Sequence, residues 1–263
     1  MNTVLVLVDF TPTAQKAAQQ GVYFAKKFNS SITFCHVYDS APSNDKLSQD
    51  MASYTALAQN SGVAFELSAP IGDFFAETEL LTDRLNPSIT VVGTHGKKGL
   101  KQNLFGAHIY KLANHVDGNL LIVSDDSNLV ENGYKKVLMP VSAHTNYSEK
   151  VKGTTAILAE GGHVDIFALH KPGMPLSDKV QNNIDNALAL LKDANVNCGL
   201  LEQDAQKFSI GFSKETFDVM EREQNDLITI MTKVSKEGGV FGKIDKENLI
   251  LNPAGIPVLC VND

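Results

Sequence analysis

The chain has 263 residues, 43% of them hydrophobic and 20% charged, enough to build a stable core without metals or disulfides. Its 30 acidic and 23 basic side chains leave a net charge of -7, which argues against a general nucleic-acid binder. Cys35, Cys198 and Cys260 are scattered, form no CxxC pair and fall in or beside apolar runs. They predict buried thiols, fit a reducing compartment and argue against a secreted disulfide scaffold.

The opening MNTVLVLVDF has no basic leading region and ends at Asp9, so it reads as a strand and not as a signal peptide. No stretch reaches the length of about 18 uninterrupted apolar residues that a membrane span needs. A cytoplasmic protein with no membrane and no nucleic-acid partner is expected.

Val4 to Val8 is a continuous apolar run, as suits a parallel strand covered on both faces. Thr11 is a good N-cap and Pro12 a good first helical residue. Ala14, Ala17, Ala18, Gly21, Val22, Ala25 and Phe28 then recur at helical spacing. SITFCHVY reads as a second strand, residues 45–60 as a helix and Val63 to Leu67 as a third strand. Gly72 and Asp73 open a helix reaching about Leu85. SITVVG is a strand, residues 106–115 a helix and NLLIV a fifth strand. Strands alternating with helices predict a parallel sheet with helices on both faces.

The polar, turn-rich residues 125–134 read as a linker, separating a first domain of residues 1–124 from a second of residues 135–263. The second half repeats the pattern. KKVLMPV answers NTVLVLV, with Val137 at the place of Val4. Ser148 is a candidate cap for a helix with Val151, Thr155 and Leu158 on its apolar face. HVDIFAL reads as a strand, and Ser177 caps a helix carrying Val180, Ile184, Ala187, Leu188 and Leu191. Val196 to Leu201 is a strand and residues 213–223 a helix. DLITIM answers SITVVG, and IPVLCV answers NLLIV. The offset is 133 residues at the start and 138 in the last two elements. One large doubly wound sheet is the competing reading, but two matched blocks of ordinary domain size are simpler.

The charge is uneven. Residues 1–123 hold 9 basic and 10 acidic groups, a net of -1, and residues 124–263 hold 14 and 20, a net of -6. Three lysines of the first half, Lys97, Lys98 and Lys101, cluster in VVGTHGKKGLKQNLFGAHIYKLA. Gly93 and Gly96 directly follow a strand there, where glycine allows positive φ and close approach of backbone to a ligand. Successive amides form an anion nest, and Gly106 stands where the next helix opens its free N–H groups to phosphate. Asp9, on the same edge of the sheet, is placed to accept hydrogen bonds from a ribose or a base amine. The loop is neither a P-loop nor the dinucleotide fingerprint. Tight turns alone would also account for its glycines.

The first half resembles the universal stress protein domain. VLVLVDFTPTAQKA is similar to that family's opening strand, acidic residue and first helix. PIGDFFAE is similar to the segment entering its third helix, and GTHGKKGLKQNLFGA to its G-x2-G-x9-G-[ST] signature. The resemblance is weaker over residues 135–263. It implies two tandem Rossmann-like α/β domains, each a five-stranded parallel sheet of order 3-2-1-4-5, packed as an intramolecular pseudo-dimer. A homodimer and an unidentified protein partner are further expectations. It also implies binding of ATP or AMP in the first domain, with Mg²⁺ accompanying ATP. The binding residues carried over are Asp9, Val37, Gly93, Thr94, His95, Gly96, Gly106 and Ala107.

Ala107 departs from the family pattern, which has Ser or Thr there. The missing hydroxyl bond to phosphate is worth roughly 1.5 to 3 kcal/mol. His108 is bulkier than the usual residue. The second half departs further, with Ser142 at the place of Asp9, Met231 and Val234 at those of Gly93 and Gly96, and Ile244 at that of Gly106. Gly238, Gly239 and Gly242 remain to shape a loop, but no nucleotide site of this type is expected there. A structural or partner-binding role is.

The seven histidines show no HExxH or Cys/His metal spacing, although a helix would set His108 and His115 on one face. FSIGFS lacks the G-x-S-x-G context of a nucleophile. Phe74 and Phe75 read as core, and Tyr38 as lining the cleft. The leading expectation is a stress-response protein binding an adenine nucleotide, regulatory, with little or no hydrolysis and no catalytic residues. A nucleotide-free scaffold and a weak nucleotide hydrolase or transferase are the alternatives.

Overall fold

A computed structural model of the chain describes residues 3–94, 107–171, 173–205, 213–232, 243–252 and 254–262. It separates into two units, Met1–Glu131 with Pro253–Gly255 and Asn132–Asn252 with Ile256–Asp263. Among the described residues no helix is long and apolar enough to cross a membrane.

In the first unit the chain runs β1 (Thr3–Leu7), α1 (Pro12–Lys27), β2 (Ser31–Cys35), α2 (Asn44–Ser61) and β3 (Phe65–Ser68). It continues through α3 (Phe74–Leu85), β4 (Ile89–Thr94), α4 (Ala107–His115) and β5 (Gly118–Ser124). The strands pair in parallel in the order β3-β2-β1-β4-β5. Val4, Leu5 and Val6 are fully buried, so the unbroken apolar run is a strand covered on both faces. Local chemistry sets the helix starts. Thr11, Ser43 and Asp73 each accept backbone N–H bonds as N-caps, and Pro12 stands at the first position of α1. Gly21 brings α1 onto the sheet, since a Cβ there would lie 2.4 Å from Val6 Cγ2.

In the second unit the chain runs β6 (Tyr134–Pro140), α5 (Tyr147–Ile157), β7 (Leu158–His170), α6 (Asp178–Asp193) and β8 (Asn197–Asp204). It continues through α7 (Ser213–Glu223), β9 (Leu227–Met231), α8 (Lys243–Ile250) and β10 (Val258–Asn262). Its parallel order is β8-β7-β6-β9-β10, the same topology as the first unit. The registers carry the repeat. Val4 lies beside Ile89 in the first unit, and Val137 lies beside Leu227 in the second. The offsets of 133 and 138 residues are thus present in the hydrogen-bonded ladders.

Some elements differ from the sequence expectation. The cap position of α5 is Asn146, with no side-chain cap bond, so Ser148 lies inside the first turn. Leu158 leaves that helix and begins the 13-residue β7. The short helix α8 has no counterpart in the expectation. Cys35 and Cys260 are buried, but Cys198 on β8 is only half-buried.

Candidate functional site

At the carboxyl edge of the first sheet the neighbours of β1 lead in opposite directions, β2 to one side and β4 to the other. Ligands of open parallel sheets bind at such a switch point. A cleft of about 460 Å³ opens there, within the range of about 300 to 1,000 Å³ usual for small-molecule sites. Leu7, Val8, Val92 and Gly93 come from β1 and β4 and the residue after β1, and Asp9, His36, Val37 and Asp39 follow the strand ends. Phe74, Phe75 and His108 come from α3 and α4.

Asp9 is held by the cap of the helix that follows it. Its Oδ1 accepts the Thr11 N–H at 3.2 Å and also the Thr11 hydroxyl. The same hydroxyl oxygen accepts the Ala14 N–H at 3.2 Å. One threonine therefore starts α1 and orients the carboxylate. Phe10, between them, is in the left-handed region at φ 64°. Its ring sits 4.3 Å from that of His36. His36 Nδ1 is 2.6 Å from the Val8 carbonyl. A carbonyl only accepts, so Nδ1 carries the proton and donates.

On the opposite side Phe75 packs against three residues of α4. His108 stacks on its ring at 5.9 Å and 15°, Lys111 Nζ stands 3.9 Å from its centroid, and His115 packs at 5.8 Å. His108 and His115 do share a helix face, and Phe75 fills the space between them. The Asp73 carboxyl is held below its ordinary value, chiefly by the Ala76 N–H and then by that of Phe75. The cleft thus has carboxylates, Asp9 and Asp39, on the β1–β2 side. His108 lies in the first turn of α4, where the helix dipole adds positive potential, and Lys111 and His115 follow further along the helix near the Asp73 carboxyl.

Three of the expected binding residues, Asp9, Val37 and Gly93, come together here. Thr94 does not line the cleft. It is buried, and its hydroxyl lacks a hydrogen-bond partner among the described residues. Ala107 is the first residue of α4. His95, Gly96 and Gly106, with Lys97, Lys98 and Lys101, lie outside the described residues. Tyr38 turns from the cleft to α2, where its hydroxyl donates to Asp50 Oδ2 at 3.0 Å. Burial, and then that carboxylate, push the phenol up to about 12. Phe74 and Phe75, expected only as core, line the cleft. His36 and Asp39 were not singled out by sequence. Their signal was position, flanking Val37 just past the end of β2.

In the second unit the corresponding edge is nearly closed. A cleft of about 10 Å³ is lined by Pro140, Ser142, His144, Lys150, Ile230, Met231 and Lys246. Ser142 and Met231 stand where the repeat places Asp9 and Gly93. Lys150 on α5 and Lys246 on α8 are each 2% exposed. Lys150 Nζ donates to the Pro140 carbonyl, and Lys246 Nζ donates to the Thr232 carbonyl at 3.0 Å. Burial, and then the neighbouring Lys246 charge, hold the Lys150 amine well below its ordinary range. Val234, Gly238, Gly239 and Gly242 lie outside the described residues.

A parallel sheet of order β3-β2-β1-β4-β5, with helices between its strands and an open cleft at its switch point, defines the first unit as a doubly wound α/β domain. The sequence model of the universal stress protein family matches residues 1–124, so the first unit carries that family's domain. A universal stress protein from Archaeoglobus fulgidus DSM 4304 superposes with a TM-score of 0.66 at 13% identity, covering 99% of this chain and 96% of that one. A functionally unknown protein from Pseudomonas aeruginosa PAO1 gives 0.63 at 11% identity, covering 100% of this chain and 92% of that one. These likenesses show the two-unit fold. A universal stress protein solved in complex with cAMP is 21% identical over 47% of this chain and 96% of its own, with a TM-score of 0.41. No curated protein matches the sequence.

Proposed function

We propose that the first domain, residues 1–124, binds an adenine nucleotide, ATP or AMP, as a regulatory ligand in a cytoplasmic stress response. The observation that carries this reading is the charge separation across the first-unit cleft. Asp9 and Asp39 offer acceptors suited to ribose hydroxyls or a base amine, and the start of α4 offers His108 and the helix dipole to an anion. Val37, Leu7 and Val92 supply apolar surface for a base. Gly96, Gly106 and the helix start at Ala107 complete the phosphate side in this reading. Thr94 and His95 belong to the loop that leads there.

ATP would bring Mg²⁺ with it, held through its phosphates with Asp9 as a protein ligand. Among the described residues no cluster of three or more histidine, cysteine or carboxylate groups stands ready for a metal. The reading assigns no catalytic residue, so any hydrolysis is incidental. The second domain, residues 135–263, serves as a structural or partner-binding half. Its cleft of about 10 Å³ is too small for a nucleotide.

The second reading, a nucleotide-free scaffold, is favoured by Ala107, which cannot give phosphate a hydroxyl bond. Extraction of nucleotide from gently purified protein separates the two. AMP or ATP near one per chain, lost in Asp9→Ala, supports the ligand. Its absence, with no binding at millimolar nucleotide, leaves the scaffold.

A further inference from the structure

We infer that His108 makes the first-unit cleft select a phosphorylated ligand over its nucleoside, its imidazole N–H supplying the phosphate bond for which the adjacent Ala107 has no hydroxyl. The inference rests on the nucleotide reading and names the side chain that reads the phosphate. His108 lines the cleft from the second position of α4, directly after Ala107. Its ring lies nearly parallel to that of Phe75, at 15° and 5.9 Å between centroids. Such a contact occupies the face of the imidazole. Its two nitrogens lie in the ring plane and stay available at the edge.

Other histidines have committed a nitrogen. His36 Nδ1 donates to the Val8 carbonyl at 2.6 Å, and His115 Nδ1 stands 2.8 Å from the Lys111 carbonyl. His163 and His170 are engaged by Asp165 and Glu202. His108 makes no such bond among the described residues, and its only contact there is the Phe75 ring. Charge decides which end of a nucleotide meets it. Asp9 and Asp39, across the cleft, repel a phosphate. The described lining on the helix side is Phe74, Phe75 and His108, without a carboxylate. The Asp73 carboxylate, just before the two phenylalanines, is taken up by the Phe75 and Ala76 N–H groups at 3.0 Å each. The first turn of α4 adds positive potential at the same point. An imidazole N–H on a phosphate oxygen is a bond to a charged acceptor, which is the strong class. Phe75 fixes the ring that makes it.

The test titrates the full chain with adenosine and with AMP by calorimetry, as wild type, as His108→Phe, and as His108→Phe with Ala107→Ser. Phenylalanine keeps a flat ring on Phe75 and has no N–H. Wild type prefers AMP, His108→Phe cuts the ratio of AMP to adenosine affinity by about ten- to a hundredfold, and adding Ala107→Ser restores it. His108→Val takes the place of the phenylalanine variant if that one does not fold. A ratio that neither substitution changes, or a wild type without preference for AMP, overturns the inference and leaves the nucleotide reading standing. Failure of both adenosine and AMP to bind wild type defeats the nucleotide reading and the inference with it.

Discussion

A Cβ placed on Gly93 would stand 2.7 Å from the carbonyl oxygen of Thr13 and 3.0 Å from the Ala14 nitrogen. The glycine lets the first turn of α1 lie directly on the end of β4. Its backbone is not in the left-handed region. Packing, and not a special φ, is therefore what demands glycine here. Gly93→Ala forces backbone apart, and a loss of about 1 to 3 kcal/mol is expected from the denaturation midpoint. An unchanged midpoint would show that α1 yields without cost.

Gly21 makes a similar demand through a side chain. Its missing Cβ leaves room for Val6 Cγ2. Gly21→Ala should destabilise by about 1 to 3 kcal/mol, and adding Val6→Ala should recover part of the loss. Strictly additive destabilisation in the double variant would refute the contact.

Thr11 links folding to the site. Thr11→Ala removes the cap of α1, worth about 1 kcal/mol, and frees the Asp9 carboxylate. Stability and nucleotide affinity should fall together, and Thr11→Ser should restore both. If calorimetry finds affinity unchanged in Thr11→Ala, Asp9 needs no such orientation.

Burial lowers the Lys246 amine to about 8, from its ordinary 10.5. Between those values the unfolded chain binds more protons than the folded one. Stability therefore rises with pH across that window, and the cost is fully present below about 8. Burial pushes the Cys35 and Cys260 thiols up, which acts in the opposite direction above about pH 9. Comparison with Lys246→Met isolates the lysine. Wild type should gain on the variant by up to about 3 kcal/mol between pH 7.5 and 10.5. A difference that does not move with pH contradicts the assignment.

The parallel strands were legible because burial on both faces leaves an unbroken apolar run, as in Val4 to Leu7. Helix starts were legible where a side chain caps them, at Thr11, Asp73 and Ser177. The start of α5 was not, since Asn146 caps without a side-chain bond. Helix α8 was not legible, since it is short and rich in charge and shows no long apolar stripe. Asp9, Val37 and Gly93 were carried over as binding residues from the family resemblance, and the topology brings the ends of β1, β2 and β4, with these residues, to one cleft. The turn of Tyr38 toward Asp50 was not legible, because strand alternation stops at Cys35. Nor was the burial of Lys150 and Lys246. A lysine in a helix ordinarily faces water, and only tertiary packing reverses that.

The most direct test is isothermal titration calorimetry of AMP and ATP, with and without Mg²⁺, on wild type and on Val37→Trp. The indole would fill the cleft where a base is placed and leaves the packing of Gly93 untouched. Binding at one site per chain in wild type, lost in the variant with its fold intact, is the predicted result. No heat at millimolar nucleotide, or equal binding by both proteins, would contradict a nucleotide site in this cleft.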